Sequence, residues 1–413
     1  MKDIMLFKDV VNCCACGACL NECPMGAIDM KYNEEGFLYP RINKALCIGC
    51  GKCTKVCAYQ NDIYKLCSPK KIYAAISNNT DLKKSASGGV FASLAKEMIL
   101  QGGIVYGVSY VETEDGLSVR HTCVGNIDQL ESILGSKYIQ SHAEKVFREV
   151  RTHLKAGKKV LFSGTPCQVA ALKAFVKNDY ASLFTIDIIC HGVPSDKWFS
   201  EYIELIEKKF SIKIRKFIFR DKTTGWGLRG KYEYELTTGK RKQKSFITQE
   251  SSYYYLFLQN IIDRPNCYTC KYASSKRTGD ITIGDYWGIE KEHGREILDN
   301  NIIVKNGVSC LLVNNSRGEE LISKFGTKLR LINSTFEQVA RYNEQLNKPS
   351  KPRGDREKIL NIYRQLGYKG VENYFQNEMK FKIFVVKVLN KLPLSVRQFL
   401  KNAYKNIRLL RSR

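Results

Sequence analysis

The sequence has no long hydrophobic run and few acidic residues. None of its 413 residues belongs to an apolar stretch of about 18, so we predict no transmembrane helix. The opening segment, MKDIMLFKDVVNCC, has no long apolar region before its cysteines, which argues against a secretory signal peptide. Asp and Glu number 41 against 66 Lys and Arg, a net charge of +25. We therefore expect a basic, cytoplasmic protein.

Cysteine, in contrast, is abundant. Sixteen cysteines without a signal peptide indicate a reducing compartment, where thiols ligate metals or carry redox chemistry and seldom form disulfides. The C-x3-C-x2-C motif of radical-SAM enzymes does not occur, which excludes that class. A hydrophobic content of 44% with 11% aromatic residues is sufficient for a buried core and excludes a disordered chain.

Two groups of four cysteines repeat the spacing C-x2-C-x2-C-x3-C. This duplication is the signature of a bacterial two-cluster ferredoxin, in which the fourth cysteine of each run ligates the other cluster. We assign one 4Fe-4S cluster to Cys13, Cys16, Cys19 and Cys57, and the second to Cys47, Cys50, Cys53 and Cys23. Zinc is disfavoured because it prefers two separated C-x2-C pairs. Ala58 replaces the usual proline without removing a ligand, and Cys14 is spare.

Four later cysteines form a second constellation: Cys167, Cys190, Cys267 and Cys270. The first two follow the predicted strands KVLFSG and TIDII, at the sheet edge where α/β proteins place their sites. The last two form a C-x2-C pair. On spacing alone the set is consistent with a third cluster, with zinc, or with four unrelated buried thiols. Cys67, Cys123 and Cys310 show no partner pattern and are interpreted as structural.

Strands and helices alternate between residues 70 and 212, which predicts a parallel or mixed sheet. Beyond residue 212 the pattern changes to β strands with a hairpin at Gly239, and from about 316 it is mostly helical. Residues 351–413 hold sixteen basic and four acidic residues, a net charge of +12. This tail is either a solvated helix, broken at Pro393, or a docking element for lipid head groups or an acidic partner. No nucleic-acid partner is expected, because no base-reading module accompanies the basic residues.

Several strings resemble the family of coenzyme F420 hydrogenase/dehydrogenase beta subunits: SGTPCQVAAL, CHGVPS, the C-x2-C pair and GDITIGDYWG, with SASGGVFASLA and GSKYIQS upstream. The resemblance implies an iron-sulfur flavoprotein that binds FAD, with an amino-terminal two-cluster ferredoxin domain. It also implies a third 4Fe-4S cluster on the later four cysteines. Many bacterial members lie in a polysaccharide-synthesis context and have no known substrate.

The resulting fold prediction is α+β. A ferredoxin-like domain at 1–66 precedes an α/β flavin-binding domain with a mixed sheet, whose amino-terminal part spans 70–157. Its carboxy-terminal part, with the third cluster, spans 158–345, and a basic helical tail spans 346–413.

The resemblance also implies flavin-site residues: Ser87, Gly88, Gly89, Ser136, Lys137 and Tyr138. Thr165 and Gln168 flank Cys167 and are candidates for hydrogen bonds to the cofactor or to a cluster sulfide. A Gly-Gly pair that opens a helix suits a pyrophosphate, although such pairs more often form tight turns. Lys137 would stabilise a reduced flavin or be a surface lysine, and His191 would donate a proton or be structural. Asp280 and Asp285 either hold ribose hydroxyls or cap turns. Trp287 either stacks on the flavin or belongs to the core.

Three functions remain open. In the first, the chain is a reductase that passes electrons from ferredoxin or a similar low-potential donor through the clusters to FAD and an unknown organic substrate. In the second, it is the electron-transfer subunit of a larger hydrogenase or dehydrogenase that acts on a deazaflavin coenzyme, with a partner subunit. In the third, it is a cluster-bearing redox scaffold without catalysis, held at the inner membrane face by its tail.

Overall fold

The structure is a computed structural model that describes residues 4–391 and 396, except residues 62, 64, 65, 79, 114, 115 and 144. Within these residues the strands are β1 Ile28–Tyr32, β2 Leu38–Ile42, β3 Lys71–Ser77, β4 Ile104–Thr113, β5 Gly116–Val124, β6 Val160–Gly164, β7 Leu183–Ile188, β8 Ile212–Ile218, β9 Gly230–Leu236, β10 Arg241–Phe246, β11 Ile281–Asp285, β12 Ser309–Val313 and β13 Leu329–Asn333. The α-helices there are α1 Ala18–Glu22, α2 Lys52–Lys55, α3 Val90–Leu100, α4 Val146–Lys155, α5 Pro166–Val176, α6 Asp196–Phe210, α7 Ser252–Leu258, α8 Ile289–Glu292, α9 Gly294–Asp299, α10 Ser316–Phe325, α11 Phe336–Ala340 and α12 Arg356–Lys391.

The amino-terminal cysteine block folds around an antiparallel pair of short strands, β1 and β2. Each cysteine run forms one short helix, α1 in the first run and α2 in the second. Gly17 and Gly51 precede these helices with φ of 79° and 66°, a left-handed conformation that glycine adopts without strain. The two runs therefore share the same local turn, as the repeated spacing predicts.

A mixed sheet of eight strands organises the rest of the described chain, in the order β13-β3-β12-β11-β7-β6-β4-β5. Strands β4, β6, β7 and β11 form its parallel centre, and the flanking pairs are antiparallel. Strands β8, β9 and β10 make a separate antiparallel sheet. The predicted α+β class, with a ferredoxin-type domain and a mixed sheet, is confirmed.

Both faces of the central strands are buried, which explains why these strands appear in the sequence as continuous apolar runs. Leu161 points to the layer that contains α3 and α10, whereas its neighbours Val160 and Phe162 pack with α4 and α5. Successive side chains of a strand point to opposite faces, so one strand contributes to two cores. The parallel centre is thus held from both sides, and its carboxyl edge is left for polar and cysteine side chains.

Two strands of the large sheet were not predicted from the sequence. β12 is a short apolar stretch with no alternation, and β13 lies in the region that was expected to be mostly helical. Both pair with β3, which is more than 230 residues earlier in the chain. Long-range pairing of this kind leaves no periodic signal in the local sequence.

The start of the predicted tail is anchored in the body of the protein. Tyr363 of α12 stacks on Trp198 of α6 with ring centroids 4.2 Å apart, and Tyr368 is fully buried. The helix is interrupted at Gly367, which has a non-helical backbone. Farther along, Phe381 and Phe384 are exposed. The expected break at Pro393 lies outside the described residues, and among the described helices none has the length and apolar character needed to cross a membrane.

Gly88 should be indispensable for closing the large sheet. A Cβ at Gly88 would lie 2.3 Å from the Ala75 carbonyl oxygen and 2.6 Å from the Ser309 amide nitrogen, both in sheet strands. We expect Gly88→Ala to lower the free energy of unfolding by about 1–3 kcal/mol, measured by urea denaturation. Gly125→Ala is the matched control, because its Cβ would meet nothing within 4 Å. Equal urea midpoints for the two variants would contradict this packing.

Candidate metal and cofactor sites

The amino-terminal block contains two adjacent cysteine-lined cavities. One is lined by Cys23, Cys47, Cys50 and Cys53, and the other by Cys13, Cys14, Cys16, Cys19, Cys53 and Cys57. Most other lining side chains are apolar, and soft thiolates in apolar surroundings suit iron-sulfur clusters. The structure thus brings together both sets that the sequence analysis assigned, and the ligand assignment itself stays a prediction.

No group of three or more His, Cys, Asp or Glu side chains within the described residues is arranged to hold a single metal ion. A zinc ion would need four thiolates at about 2.3 Å from one point. A cubane cluster is larger, so its ligands stand farther apart. Burial raises the pKa of the Cys13 thiol to about 12, so a cationic centre has to displace the proton before that sulfur can ligate.

The four later cysteines also meet, although they come from three separate segments. Cys167 lies in the first turn of α5 directly after β6, and Cys190 follows β7, the parallel neighbour of β6. Cys267 lies in a short 3-10 helix, Pro265–Thr269, and Cys270 ends it. Burial chiefly raises the pKa of Cys190, and its neighbours Cys167 and Cys270 raise that pKa further. Cys190 and Cys270 likewise raise the pKa of Cys267, after burial, so the four thiols are electrostatic neighbours, and we call them the third cysteine set.

Cys14, which the sequence left without a role, lies between two of these sites. Its buried thiol lies beside the sulfurs of Cys16 and Cys167, and these two neighbours raise its own pKa well above the usual value. The same contact from Cys14 is the main reason that the pKa of Cys167 is lowered, to about 7. The first ferredoxin-type set and the third cysteine set are therefore neighbours, with one thiol between them.

A fully buried arginine joins these two sets. The Arg264 guanidinium donates only to neutral oxygens: the Leu38 and Cys13 carbonyls at 3.0 and 3.2 Å, and the side chains of Gln140 and Asn266 at 2.9 and 3.3 Å. Buried charges are normally paired, and no carboxylate pairs with it among the described residues. Thiolate-ligated clusters carry net negative charge, so the residues present fit clusters on both sides of Arg264.

The adjacent Asp263 does not supply the missing charge. Neither of its carboxyl oxygens has a hydrogen-bond partner within the described residues, and burial raises its pKa to about 8. At neutral pH this side chain is therefore largely protonated. Gly192, two residues after Cys190, allows the carboxyl group to approach, since a Cβ there would lie 2.5 Å from Asp263 Oδ2.

A cavity of about 260 Å³ opens at the carboxyl edge of the central strands. Of the predicted flavin and catalytic residues it is lined by Ser87, Gly89, Ser136, Lys137, Tyr138, Thr165, Gln168 and His191, and also by Cys190 of the third cysteine set. Apolar walls come from residues with no sequence signal, such as Ile133, Ile189 and Phe257. A helix start, a lysine and apolar walls around one space suit a planar ring with a phosphate tail.

Gly88 and Gln168 are placed differently from the other candidates. Gly88 does not line the cavity, and its amide donates to Ser309 Oγ at 2.9 Å. The Gln168 amide group is also occupied, because Nε2 donates to Ser141 Oγ at 3.0 Å and Oε1 accepts from the Thr165 amide at 3.1 Å. Its arrangement therefore fixes the first turn of α5 and the position of Cys167.

Lys137 is the cationic group of this cavity. Its Nζ donates to the backbone carbonyls of Leu134 and Ser132 at 2.7 and 3.1 Å. Desolvation, together with a smaller effect of the nearby Lys216, lowers its pKa to about 7. An anionic ligand would favour the protonated form, so Lys137 is suited to bind negative charge.

The opposite rim is built from residues that the sequence analysis did not connect. Asp285 accepts from Arg220 at 3.1 Å and from Trp226 Nε1 at 2.8 Å, so its carboxylate is already occupied. Trp226 stacks on Trp287, with ring centroids 4.7 Å apart and planes 6° from parallel. Asp280 lies elsewhere and accepts from the Thr185 amide and hydroxyl at 2.7 Å. Trp287 lines the cavity, and its ring contacts both Trp226 and the Arg220 guanidinium, which lies 5.2 Å from the ring centroid.

A buried histidine, His121, contacts two residues of the cavity lining, Ser141 and Ser163. His121 Nε2 lies 3.2 Å from the Ser163 carbonyl oxygen, so Nε2 carries the proton, and Nδ1 accepts from Ser141 Oγ at 3.1 Å. The ring stacks on Phe162, and burial lowers the pKa of His121 to about 4. This histidine is therefore neutral at physiological pH and links the cavity wall to β6.

Two family models match the chain. Residues 157–338 match the model for the C terminus of the beta subunit of coenzyme F420 hydrogenase/dehydrogenase. Residues 12–61 match the model of a 4Fe-4S dicluster domain. The second match covers both ferredoxin-type cysteine runs, and the first covers all four residues of the third cysteine set.

A curated relative and a solved structure are also similar. A subunit of the F420H2 dehydrogenase of Methanosarcina mazei is 24% identical over 213 residues, which are 47% of this chain and 58% of that protein. The chain therefore matches little more than half of that relative. A chain of the F420-reducing [NiFe] hydrogenase complex from Methanosarcina barkeri matches at 16% identity and a TM-score of 0.41, over 76% of this chain and 92% of that one. That score is too low to establish a common fold.

Removal of one member of the third cysteine set should remove one cluster. We expect Cys190→Ala to lower the iron content of the anaerobically reconstituted protein by about four atoms per chain, because a 4Fe-4S cluster needs its four thiolates. Cys123→Ala is the control, since Cys123 is an exposed residue of β5 away from the three sets. Unchanged iron in Cys190→Ala, or one zinc lost in its place, would contradict a cluster there.

Acid should destabilise the protein through His121. Its pKa is about 6.5 when unfolded and about 4 when folded, so stability is lost as the pH falls from 6.5 towards 4. Between pH 7.5 and 5.5 this group costs about 1.4 kcal/mol, because only the unfolded chain takes up the proton. His121→Gln should show a smaller shift of the urea midpoint over that interval. An identical shift in both proteins would refute the buried neutral state.

Proposed function

Because this chain belongs to the family of coenzyme F420 hydrogenase/dehydrogenase beta subunits and carries a 4Fe-4S dicluster domain, we propose that it is the electron-transfer subunit of a larger oxidoreductase. It is an iron-sulfur redox protein. In this view the chain connects a one-electron partner with a two-electron reaction in the cavity of the mixed sheet.

The continuity of the four sites is the observation that carries the proposal. Cys53 lines both cavities of the dicluster block, and Cys14 links the first of these sets to Cys167. Cys190, in turn, lines the large cavity. We call the cluster predicted on Cys47, Cys50, Cys53 and Cys23 the Cys47–Cys53 cluster. Electrons would pass from it to the cluster of Cys13, Cys16, Cys19 and Cys57, then to the third cysteine set and into the cavity.

FAD is the cofactor that we propose for the cavity. Bound there, it would convert single electrons from the clusters into pair transfer to an organic molecule. Ser87 and Gly89 lie at the start of α3, where backbone amides suit a pyrophosphate, and Lys137 would hold negative charge on the ring. Tyr138 is held in place by Phe257, whose ring lies 4.7 Å away. His191 at the exposed rim would handle a proton.

The organic partner that we propose is a deazaflavin coenzyme, because the curated relative is named for F420H2. Trp287 in the cavity wall is the aromatic residue on which such a planar ring would stack.

A second candidate is a self-contained reductase of another organic substrate, in a polysaccharide-synthesis context. One observation favours it: the complete series of sites, from dicluster block to cavity, lies on one chain. Purification as a stable complex with a partner subunit would favour the electron-transfer subunit. Activity of the isolated chain would favour the self-contained reductase.

Cofactor content tests the proposal directly. After anaerobic reconstitution we expect about twelve iron atoms and one FAD per chain, the content of three 4Fe-4S clusters and one flavin. Lys137→Met should keep the iron and bind FAD at least tenfold more weakly. The wild-type affinity should fall as the pH rises above about 7, where Lys137 loses its proton, and the variant should lack this dependence.

Lys155→Met is the matched control, because Lys155 is exposed at the end of α4 and outside the cavity lining. This variant should bind FAD as the wild type does. A protein that takes up iron but never flavin would overturn the flavin part of the proposal. Clusters that no low-potential reductant can reduce would overturn the electron-transfer function as a whole.

A further inference from the structure

Exposed apolar side chains surround the cavity lined by Cys47, Cys50 and Cys53, which is the first site on the proposed electron path. Met25, Leu46 and Ile48 are 48%, 47% and 57% exposed. Met25 and Ile48 line the cavity of the Cys47–Cys53 cluster, and Leu46 directly precedes Cys47. Cys50 is itself exposed. This cluster site is therefore the one that a second protein can approach, and it offers that protein an apolar contact.

The charge around this apolar patch is mainly positive, and Asp29, opposite Arg41 in the β1–β2 pair, is its acidic neighbour. Arg41, Lys44, Lys52 and Lys55 are all exposed, and residues 36–61 contain no Asp or Glu. Neither Lys52 nor Lys55 forms a salt bridge with a carboxylate among the described residues. Both lie on α2, beside the predicted ligand Cys53. An approaching molecule would thus meet positive charge at the edge of the cluster.

A groove of about 800 Å³ continues from this patch towards α5 and α10. Its lining includes Lys52, Lys55 and the first residues of α10. The three acidic residues in its lining are already paired: Glu22 with Lys177 at 2.6 Å, Asp179 with Arg317 at 2.7 Å, and Asp280 with Lys173 at 3.1 Å. The net charge that the groove offers to a partner is therefore positive. We call the apolar patch, the basic residues around it and this groove the entry face.

We propose that the entry face docks an acidic one-electron carrier protein, which exchanges electrons with the Cys47–Cys53 cluster. The inference deepens the proposed electron-transfer function and depends on it. Opposite charge speeds the diffusional encounter of two proteins and orients it, and electron-transfer partners use small interfaces of mixed apolar and charged character. A second copy of this chain is a poor occupant, because it would bring another strongly basic surface with a net charge of +25.

Charge reversal on α2 tests the docking. The probe is a reduced ferredoxin of strongly negative net charge, mixed anaerobically with the reconstituted full chain in a stopped-flow instrument. We expect Lys52→Glu/Lys55→Glu to lower the second-order rate constant about tenfold or more at low ionic strength. The difference from wild type should shrink as salt is added, because salt screens exposed charges. The matched control is Lys240→Glu/Lys242→Glu, on the exposed hairpin that ends in β10.

A second reductant separates docking from damage to the cluster. Reduced methyl viologen is a small cation that needs no docking face, so it should reduce the wild type and both double variants at similar rates. A parallel loss with the viologen would assign the effect to the cluster itself and overturn the docking proposal. Equal slowing by the control variant would also overturn it, since total charge alone would then explain the rate.

Failure of this inference is distinguishable from failure of the proposed function. If the viologen reduces the clusters and the α2 variant reacts with the acidic ferredoxin as fast as the wild type, the entry face is refuted and electron transfer stands. If neither reductant reduces the clusters of the wild type, the electron-transfer function is refuted, and the docking inference with it.

Discussion

The whole arrangement depends on one buried cation. Arg264 belongs to the segment that provides Cys267 and Cys270, yet its guanidinium binds carbonyls at Leu38 and Cys13 in the dicluster block. Its charge opposes the burial that raises the pKa of Cys13, and it adds to the effect of Cys14 in lowering the pKa of Cys167, so it acts on one thiol on each side. A buried charge among neutral acceptors is costly, and negatively charged clusters would offset that cost. Assembly of the clusters and closure of the domain contact are therefore coupled through this side chain.

The sheet explains why so many functional candidates share one edge. Parallel strands β6 and β7 end side by side, and each is followed within a few residues by a cysteine of the third set. The cavity opens at the same carboxyl edge, where α/β folds commonly place ligands. Cys190 thus belongs to the third cysteine set and also borders the cavity, without any long loop. The short path between them is a consequence of strand order.

Much of this could be predicted from the sequence, because cysteine spacing and strand-helix alternation are local signals. The dicluster motifs, the hairpin at Gly239 and the position of Cys167 after β6 all follow from short windows. Contacts between distant segments could not be predicted. The pairing of β3 with β12 and β13, the position of Cys14 beside Cys167, and the Trp226–Trp287 stack depend on tertiary structure. The role of Gly88 could not be predicted for the same reason. The sequence does not show that its amide donates a hydrogen bond to Ser309, a residue of a distant strand.

The position of β3 also bears on how the protein is made. It lies between β12 and β13, which follow it by more than 230 residues, so both of its edges stay unpaired until the ribosome has made most of the chain. At 5–20 residues per second that interval lasts roughly 10–50 s. The dicluster block, whose two strands pair only with each other, is complete long before. The eight predicted ligands of this block are therefore present early on the nascent chain, whereas Arg264, which contacts the block, is made about 200 residues later and the cavity forms only near the end of translation.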